Sequence, residues 1–223
     1  MSAETERSKF STAEELANAI SHFLGFLLSI VALVLMVHKS IRFGDNVHII
    51  TSAVFGTSMI ALYLSSSLTH ILRQGRAKNF FFSMDKITVY LLIAGTYTPL
   101  ALLAVGGVLG WTIFGIEWAC AITGTILILR KPVNFEKGVN LFFVISYAVM
   151  GWLILIAIVP LIKSMPLTGW LFILIGGAFY TVGIFFYKKG KFRHHHLVWH
   201  LLVMLGTAAH FISIFYFILP GTL

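Results

Sequence analysis

Seven long apolar segments dominate this chain and decide what it can fold into. They run over about residues 16–37, 49–71, 87–105, 109–129, 140–162, 168–187 and 197–219. A helix of about 20 mainly apolar residues is long enough to cross the hydrocarbon core of a bilayer. Only 11% of the 223 residues are charged, whereas soluble domains have about 25%. The sequence therefore predicts an all-α integral membrane protein, built as a bundle of seven transmembrane helices.

The links between these segments are too short to hold another folded unit. RQGRAKN, RKPVNFEKG and KKGKFRHH are the most polar of them, and the last apolar segment ends almost at the C-terminus. We therefore expect residues 1–223 to form one transmembrane domain with a short polar segment over about residues 1–13. The net charge of +8 does not predict a nucleic-acid partner, because no soluble domain carries a basic face. The expected partner is the lipid bilayer.

The basic residues are distributed unevenly between the two ends of the segments. Thirteen of the sixteen Lys and Arg lie in the N-terminal segment or in the second, fourth and sixth links, while Lys39, Arg42 and Lys163 lie in the other links. Short cytoplasmic loops carry the excess of basic residues in membrane proteins. This bias predicts a cytoplasmic N-terminus and an outside C-terminus in a plasma or inner membrane. An even number of spans would break the alternation, so the charges also favour seven.

His196 and His200 open the seventh apolar segment. Residues four apart on a helix lie on one face, one turn from each other, and two such imidazoles can chelate a metal ion. Imidazole is costly to place in lipid, which favours an orientation toward the bundle interior. The alternative is that both histidines lie among the lipid headgroups.

Further polar residues fall at the same end of the bundle in this topology. His70 closes the second segment, Ser66 precedes it by one turn, and Asp85 opens the third. The first helix begins TAEELANAISH, in which Thr12 and Glu15 have the spacing of a capping box. Three polar residues of this helix share one face and are candidates for lining or supporting a pocket: Glu15, Asn18 and His22.

Three imidazoles with one open position are typical of catalytic zinc. Zinc lowers the pKa of a bound water to about 7 and so supplies a nucleophile at neutral pH. We expect His70, His196 and His200 to hold one zinc ion. Asp85 is then expected to act through water as a proton carrier, and Ser66 to hydrogen-bond a ligand or an oxyanion.

Each of these residues also has an ordinary structural interpretation. His70 can extend to the interface, Asp85 can cap the third helix, and Ser66 can mediate helix packing. The polar residues of the first helix can form a hydrated helix start. His210 lies about 280° around the helix from His200, so the expected role of that imidazole is packing or support of the site from outside the ligand set. Glu117 is an acid in the middle of the fourth segment, and no partner for it is evident from the sequence.

Several blocks together resemble a known family. They are AEELANAISH, the pair Ser66 and His70, Asp85 followed by YLLIAGTYTPL, and the pair His196 and His200 followed by LLVMLGTAAHF. Their order and helix placement resemble bacterial hemolysin III, a group within the superfamily of progestin and adipoQ receptors that includes the adiponectin receptors. The resemblance covers the chain from about Glu14 to Phe217 and is especially close over Tyr90 to Pro99.

The resemblance implies a seven-helix membrane protein with zinc near its cytoplasmic face. The zinc-binding histidines of the family fall on His70, His196 and His200, and its serine and aspartate fall on Ser66 and Asp85. Members that resemble the alkaline ceramidases are thought to hydrolyse lipid amides, and bacterial members are named for a haemolytic activity and have been linked to membrane homeostasis.

Three functions remain open at this point. The first is a zinc-dependent hydrolase of a lipid amide or ester, with a lipid amide or fatty acid as its ligand. The second is a pore-forming, cytolytic or membrane-homeostasis protein of the hemolysin III type. The third is a receptor-like sensor in which zinc is structural. An open coordination position favours the first, and a fourth protein ligand favours the third.

Overall fold

The computed structural model describes residues 11–131, 140–189 and 193–221, and all regular structure within these ranges is helical. The helices are α1 (Thr12–Phe43), α2 (Asn46–Ile71), α3 (Arg76–Pro99), α4 (Gly107–Arg130), α5 (Leu141–Trp152), α6 (Ile158–Ser164), α7 (Leu167–Lys189) and α8 (His195–Ser213). Two π-helical turns, Leu100–Val105 and Ile214–Ile218, extend α3 and α8, and the 3₁₀ turn Leu153–Ala157 joins α5 to α6.

Seven stretches of these helices are long and apolar enough to cross a membrane, which confirms the prediction from hydropathy. The fifth crossing consists of α5, the 3₁₀ turn and α6, and extends over Leu141–Ser164. Helices are the expected solution in lipid, because a helix satisfies its backbone hydrogen bonds within the segment. The protein is a multi-pass integral membrane protein.

The third span lies at the centre of the bundle. In its most apolar stretch 67% of the residues are buried inside the protein, against 22% in the fifth and sixth spans. It packs between α2 and α4, while α1 packs along α2 and α8, and α8 packs along α7. Helices from both ends of the sequence therefore meet, and α1, α2, α3 and α8 surround a shared interior.

The start of α3 differs from the prediction. Asp85 does not open this helix, because α3 begins at Arg76, more than two turns earlier. The segment RAKNFFFSMD is more polar than the rest of the third span, yet it folds as helix, and its side chains Lys78, Ser83 and Asp85 are buried. Lys78, Asp85 and Lys86 are all buried, and Lys78 and Lys86 are therefore not loop residues that set membrane orientation.

The cap of α1 also differs from the prediction by one residue. The capping box is formed by Ser11 and Glu14, not by Thr12 and Glu15. The Glu14 backbone N–H donates to Ser11 Oγ at 3.3 Å, and the Ser11 N–H donates to Glu14 Oε2 at 3.0 Å. This shift frees the Glu15 carboxylate to point into the bundle.

Part of the charge argument for orientation lies outside the described residues. Arg7, Lys9, Lys137 and Lys191 fall there, as does most of the polar N-terminal segment. The cytoplasmic placement of the N-terminus and the outside placement of the C-terminus therefore stay predictions, as does the single domain over residues 1–223.

Candidate metal centre and cavity

Three histidines from two distant helices converge at one end of the bundle. His70 comes from the last turn of α2, and His196 and His200 come from the first two turns of α8. Their ring centroids lie 5.1 Å apart for His70 and His196, 5.0 Å for His70 and His200, and 4.7 Å for His196 and His200. One ring nitrogen from each lies within 4.8 Å of the others, so the three can hold one metal ion.

A carboxylate supports His70 from behind. Glu15 Oε2 accepts a hydrogen bond from His70 Nδ1 at 2.6 Å, and Glu15 Oε1 accepts one from Lys78 Nζ at 2.8 Å. A carboxylate on Nδ1 fixes the ring orientation and leaves the Nε2 lone pair free. Glu15 thereby joins α1, α2 and α3 at the metal centre.

The backbone of α1 orients His200 in a similar way, through an acceptor at Nδ1. Its Nδ1 lies 3.2 Å from the carbonyl oxygen of Asn18 and 3.1 Å from Ser21 Oγ. Because a carbonyl only accepts, Nδ1 carries the proton and Nε2 is available to a metal. The His22 ring stacks on His200 with centroids 3.6 Å apart and planes 10° from parallel.

The donor set fits a transition metal that favours imidazole. Two of the three rings, those of His70 and His200, are fixed at Nδ1 by an acceptor, which is the arrangement that usually orients metal-bound histidine. All three rings are almost removed from solvent, with relative exposures of 5% for His70, 9% for His196 and 1% for His200. Within the part of the chain that the structure describes, no carboxylate or thiol joins this group as a fourth ligand.

A largely apolar cavity runs from the metal centre into the bundle. His196 and His200 form part of its head end, together with His22, Ser66 and Asp85. Its body is lined from α2, α3, α5, α7 and α8 by side chains that include Leu62, Val89, Leu92, Ile93, Val144, Ala148, Ile184 and Val203. Such a space is suited to a flexible aliphatic chain with a polar group at the histidine end.

Asp85 reaches this head end from α3, although it does not open that helix. One of its oxygens, Oδ2, accepts a hydrogen bond from Lys86 Nζ at 2.6 Å, and Asp85 is only 7% exposed. Ser66 is 2% exposed and lies one turn before His70 on α2. The structure therefore brings the predicted site residues to one end of the bundle, although Glu15, Asn18 and His70 do not line the cavity.

Two further polar residues stay apart from the metal group. His210 lines the far part of the cavity and donates from Nε2 to the carbonyl of Ile173 at 3.1 Å, in keeping with the packing role expected of it. Glu117 is fully buried in α4, and neither carboxylate oxygen has a hydrogen-bond partner among the residues described.

Sequence reasoning missed Lys78, Lys86 and Ser21 as members of the site. The two lysines precede the apolar run of the third span, where basic residues usually mark a loop. Ser21 lies one residue from the polar face of α1 that the spacing singled out.

Comparisons with known proteins agree with this architecture. Residues 10–211 match the family described as Haemolysin-III related. The chain is 39% identical to Hemolysin-3 of Bacillus cereus over 207 residues, covering 93% of both proteins. It is 39% identical to a Hemolysin-3 homolog of Bacillus subtilis (strain 168) over 208 residues, covering 93% of this chain and 96% of that protein. It is also 27% identical over 214 residues to the monocyte to macrophage differentiation factor of Homo sapiens, covering 93% of this chain and 86% of that protein. The chain therefore belongs to the haemolysin-III-related family.

Proposed function

We propose that this protein is a zinc-dependent hydrolase of a lipid amide or ester, with its site near the cytoplasmic face. The observation that carries the proposal is a group of three buried imidazoles, two of which, His196 and His200, line one end of an apolar cavity inside a membrane bundle. Catalytic zinc commonly has three protein ligands and one open position, and the three-histidine group supports that geometry. Bound zinc would supply Lewis-acid chemistry and activate a water near neutral pH.

The residues around the histidines support acyl transfer to water. Asp85 lines the cavity outside the metal group, so its carboxylate can take a proton from the attacking water and deliver it to the leaving amine or alcohol. Ser66 lines the same cavity, and its hydroxyl can donate a hydrogen bond to the carbonyl oxygen as negative charge develops there. His22, stacked on His200, forms part of the wall on the α1 side.

Removal of the α8 ligands tests the proposal. We expect His196→Ala and His200→Ala to lose bound zinc and lipid hydrolysis together, while His38→Ala, which changes an exposed histidine of α1, keeps both. Metal content is measured by elemental analysis of protein in nanodiscs, and turnover by mass spectrometry of fatty acid released from a ceramide, an N-acylethanolamine and an N-acylglycine. Equal turnover by zinc-free His196→Ala protein would overturn the mechanism. If the wild-type protein binds zinc but hydrolyses none of the three lipids, the result would favour a structural metal in a sensor.

The second candidate is membrane permeabilisation, which is supported by the name Hemolysin-3 of the Bacillus relatives. Glu117 is the acid that such an activity would use in mid-membrane, since it is fully buried in α4. We expect dye release from liposomes at defined protein density to fall in Glu117→Gln if this activity exists. Release equal to that from protein-free vesicles would exclude it.

A further inference from the structure

Lys86 is a buried lysine at the head of the cavity. It is 7% exposed and lies on α3, where it lines the same space as Ser66, Asp85 and His196. A buried ammonium inside a membrane protein is costly unless its charge and its N–H groups are compensated. The contacts of Lys86 therefore indicate what else the cavity is built to hold.

The N–H groups of the Lys86 ammonium are only partly satisfied by hydrogen bonds. An ammonium has three N–H donors, and one of them goes to Asp85 Oδ2 at 2.6 Å. Two aromatic rings also lie near Nζ, with centroids 4.9 Å away for Phe82 and 5.5 Å away for Tyr187. Aromatic faces stabilise the charge without accepting a conventional hydrogen bond. Within the described ranges Asp85 is the only hydrogen-bond acceptor of Lys86 Nζ, which leaves two N–H groups for a ligand.

The ammonium is close to the metal centre. The Tyr187 ring that contacts Nζ has its centroid 5.8 Å from that of His196. Tyr187 thus contacts both Lys86 and His196, one of the three histidines. One ligand could therefore place a carbonyl at the histidines and a polar group at Lys86.

The charges at this end of the bundle favour an anion. Glu15 is paired with Lys78 and Asp85 with Lys86, so the four charged side chains cancel in two ion pairs. A divalent metal on the three imidazoles would then add positive charge at this end, where these four side chains are already paired with each other. A substrate with a negative group next to its scissile bond would supply that balance and also accept from the free N–H groups of Lys86.

We propose that Lys86 is the residue that makes the cavity specific for acyl amides or esters with an anionic leaving group, such as N-acyl amino acids. The acyl chain occupies the apolar body, the carbonyl lies at the histidines, and the carboxylate of the amino acid accepts from Lys86 Nζ. This inference rests on the proposed hydrolase function. In the reaction, water adds across the C–N bond: the carbonyl carbon gains the oxygen, the nitrogen gains a proton, and a fatty acid and an amino acid leave.

A matched pair of probes tests this specificity. N-lauroylglycine and N-lauroylethanolamine share the chain and the amide and differ in a carboxylate against a hydroxymethyl group. Binding of each radiolabelled probe is measured on chelator-stripped protein in nanodiscs of zwitterionic lipid, with empty nanodiscs subtracted. The same two probes are then used for hydrolysis by the zinc-loaded protein.

We expect the wild type to bind N-lauroylglycine about tenfold or more tighter than N-lauroylethanolamine, since hydrogen bonds to charged groups contribute that much. Lys86→Met should lose this preference by weakening the glycine probe alone, and Lys86→Arg should retain it. Lys163→Met, which removes the same charge from an exposed position at the other end of the bundle, should behave as wild type.

The outcomes separate this inference from the proposed function. Equal affinity of the wild type for both probes, or equal weakening of both in Lys86→Met, would overturn the specificity role and leave Lys86 as a positioning partner of Asp85. Hydrolysis of both probes at equal rates would support the hydrolase function and contradict the specificity assigned to Lys86. A binding preference without any hydrolysis would support the anion site and contradict the hydrolase function.

Discussion

At the scale of single residues, Glu15 connects a histidine of the candidate metal centre to a buried lysine. Its carboxylate accepts from His70 at one oxygen and from Lys78 at the other, so one side chain orients a ligand and neutralises a buried lysine. Its neighbour Glu14 has a different role, because it caps α1 and accepts the backbone N–H of His194 at 3.0 Å. Two adjacent acids of the same type thus divide ligand orientation and helix capping between them.

This division predicts opposite results for two matched variants. Glu15→Gln should weaken zinc binding by about 10–100-fold, which is the usual effect of removing a carboxylate behind a metal-bound histidine. Glu14→Gln should keep wild-type zinc affinity, since its side chain touches no ligand imidazole among the described contacts. Competition with a chromophoric chelator measures both affinities. Equal affinities in the two variants would contradict the role of Glu15.

Sequence reasoning identified the three histidines and the polar face of α1 beside them, but not the buried lysines. His196 and His200 could be predicted because a spacing of four has one meaning on a helix, and His70 because the span order fixed its end of the bundle. Lys78 and Lys86 could not, because a lysine beside an apolar run looks the same whether it faces a loop or the bundle interior. The position of α3 in the folded bundle decides whether these lysines face a loop or the interior. Hydropathy alone does not predict that position.

At the scale of helices, α8 is held to α2 and α7 by a shared hydroxyl. Thr207 Oγ1 lies 2.7 Å from Tyr63 Oη of α2 and 2.7 Å from Tyr180 Oη of α7, and it donates to the Val203 carbonyl within α8. Three helices meet at one side-chain oxygen. Because α8 carries two of the three histidines, this junction also sets the depth at which they lie.

Removing that hydroxyl should loosen the helix junction. We expect Thr207→Val to lower the free energy of unfolding by about 1–2 kcal/mol, because two tyrosine hydroxyls lose an acceptor in a membrane interior. Thr112→Val is the matched control, since Thr112 is exposed and, among the described residues, bonds only to the Val108 carbonyl of its own helix. Reversible unfolding in mixed micelles measures both changes. An equal loss in the two variants would show that the junction adds nothing.

At the scale of the whole molecule, the metal centre and the predicted cytoplasmic side coincide. The start of α1, the end of α2, the start of α3 and the start of α8 all lie at one end of the bundle, and the link that contains Arg73 lies there too. Ser164 closes the fifth span at the opposite end. The seven spans follow from hydropathy because length and apolar content alone decide membrane insertion, whereas orientation depends on the balance of the loop charges.

Single-cysteine labelling tests the orientation. Cys120 is the only cysteine of the chain, so Cys120→Ser gives a background without thiols. A membrane-impermeant maleimide should label Ser164→Cys in intact cells and leave Arg73→Cys unlabelled, because Arg73 is expected to face the cytoplasm. Inverted vesicles should give the reverse pattern. Labelling of Arg73→Cys in intact cells would place the metal centre outside.

The distance in sequence between the metal ligands has a consequence for biogenesis. His70 belongs to the second span and His196 to the last, so the site cannot exist until the C-terminal helix has left the ribosome and entered the membrane. Until then the buried charges of α3 lack the surroundings that α8 supplies. Loading of a metal on these three histidines would therefore follow insertion, and metal content would report whether a chain was completed and correctly assembled. A truncated chain that lacks the last span would reach the membrane and remain metal-free.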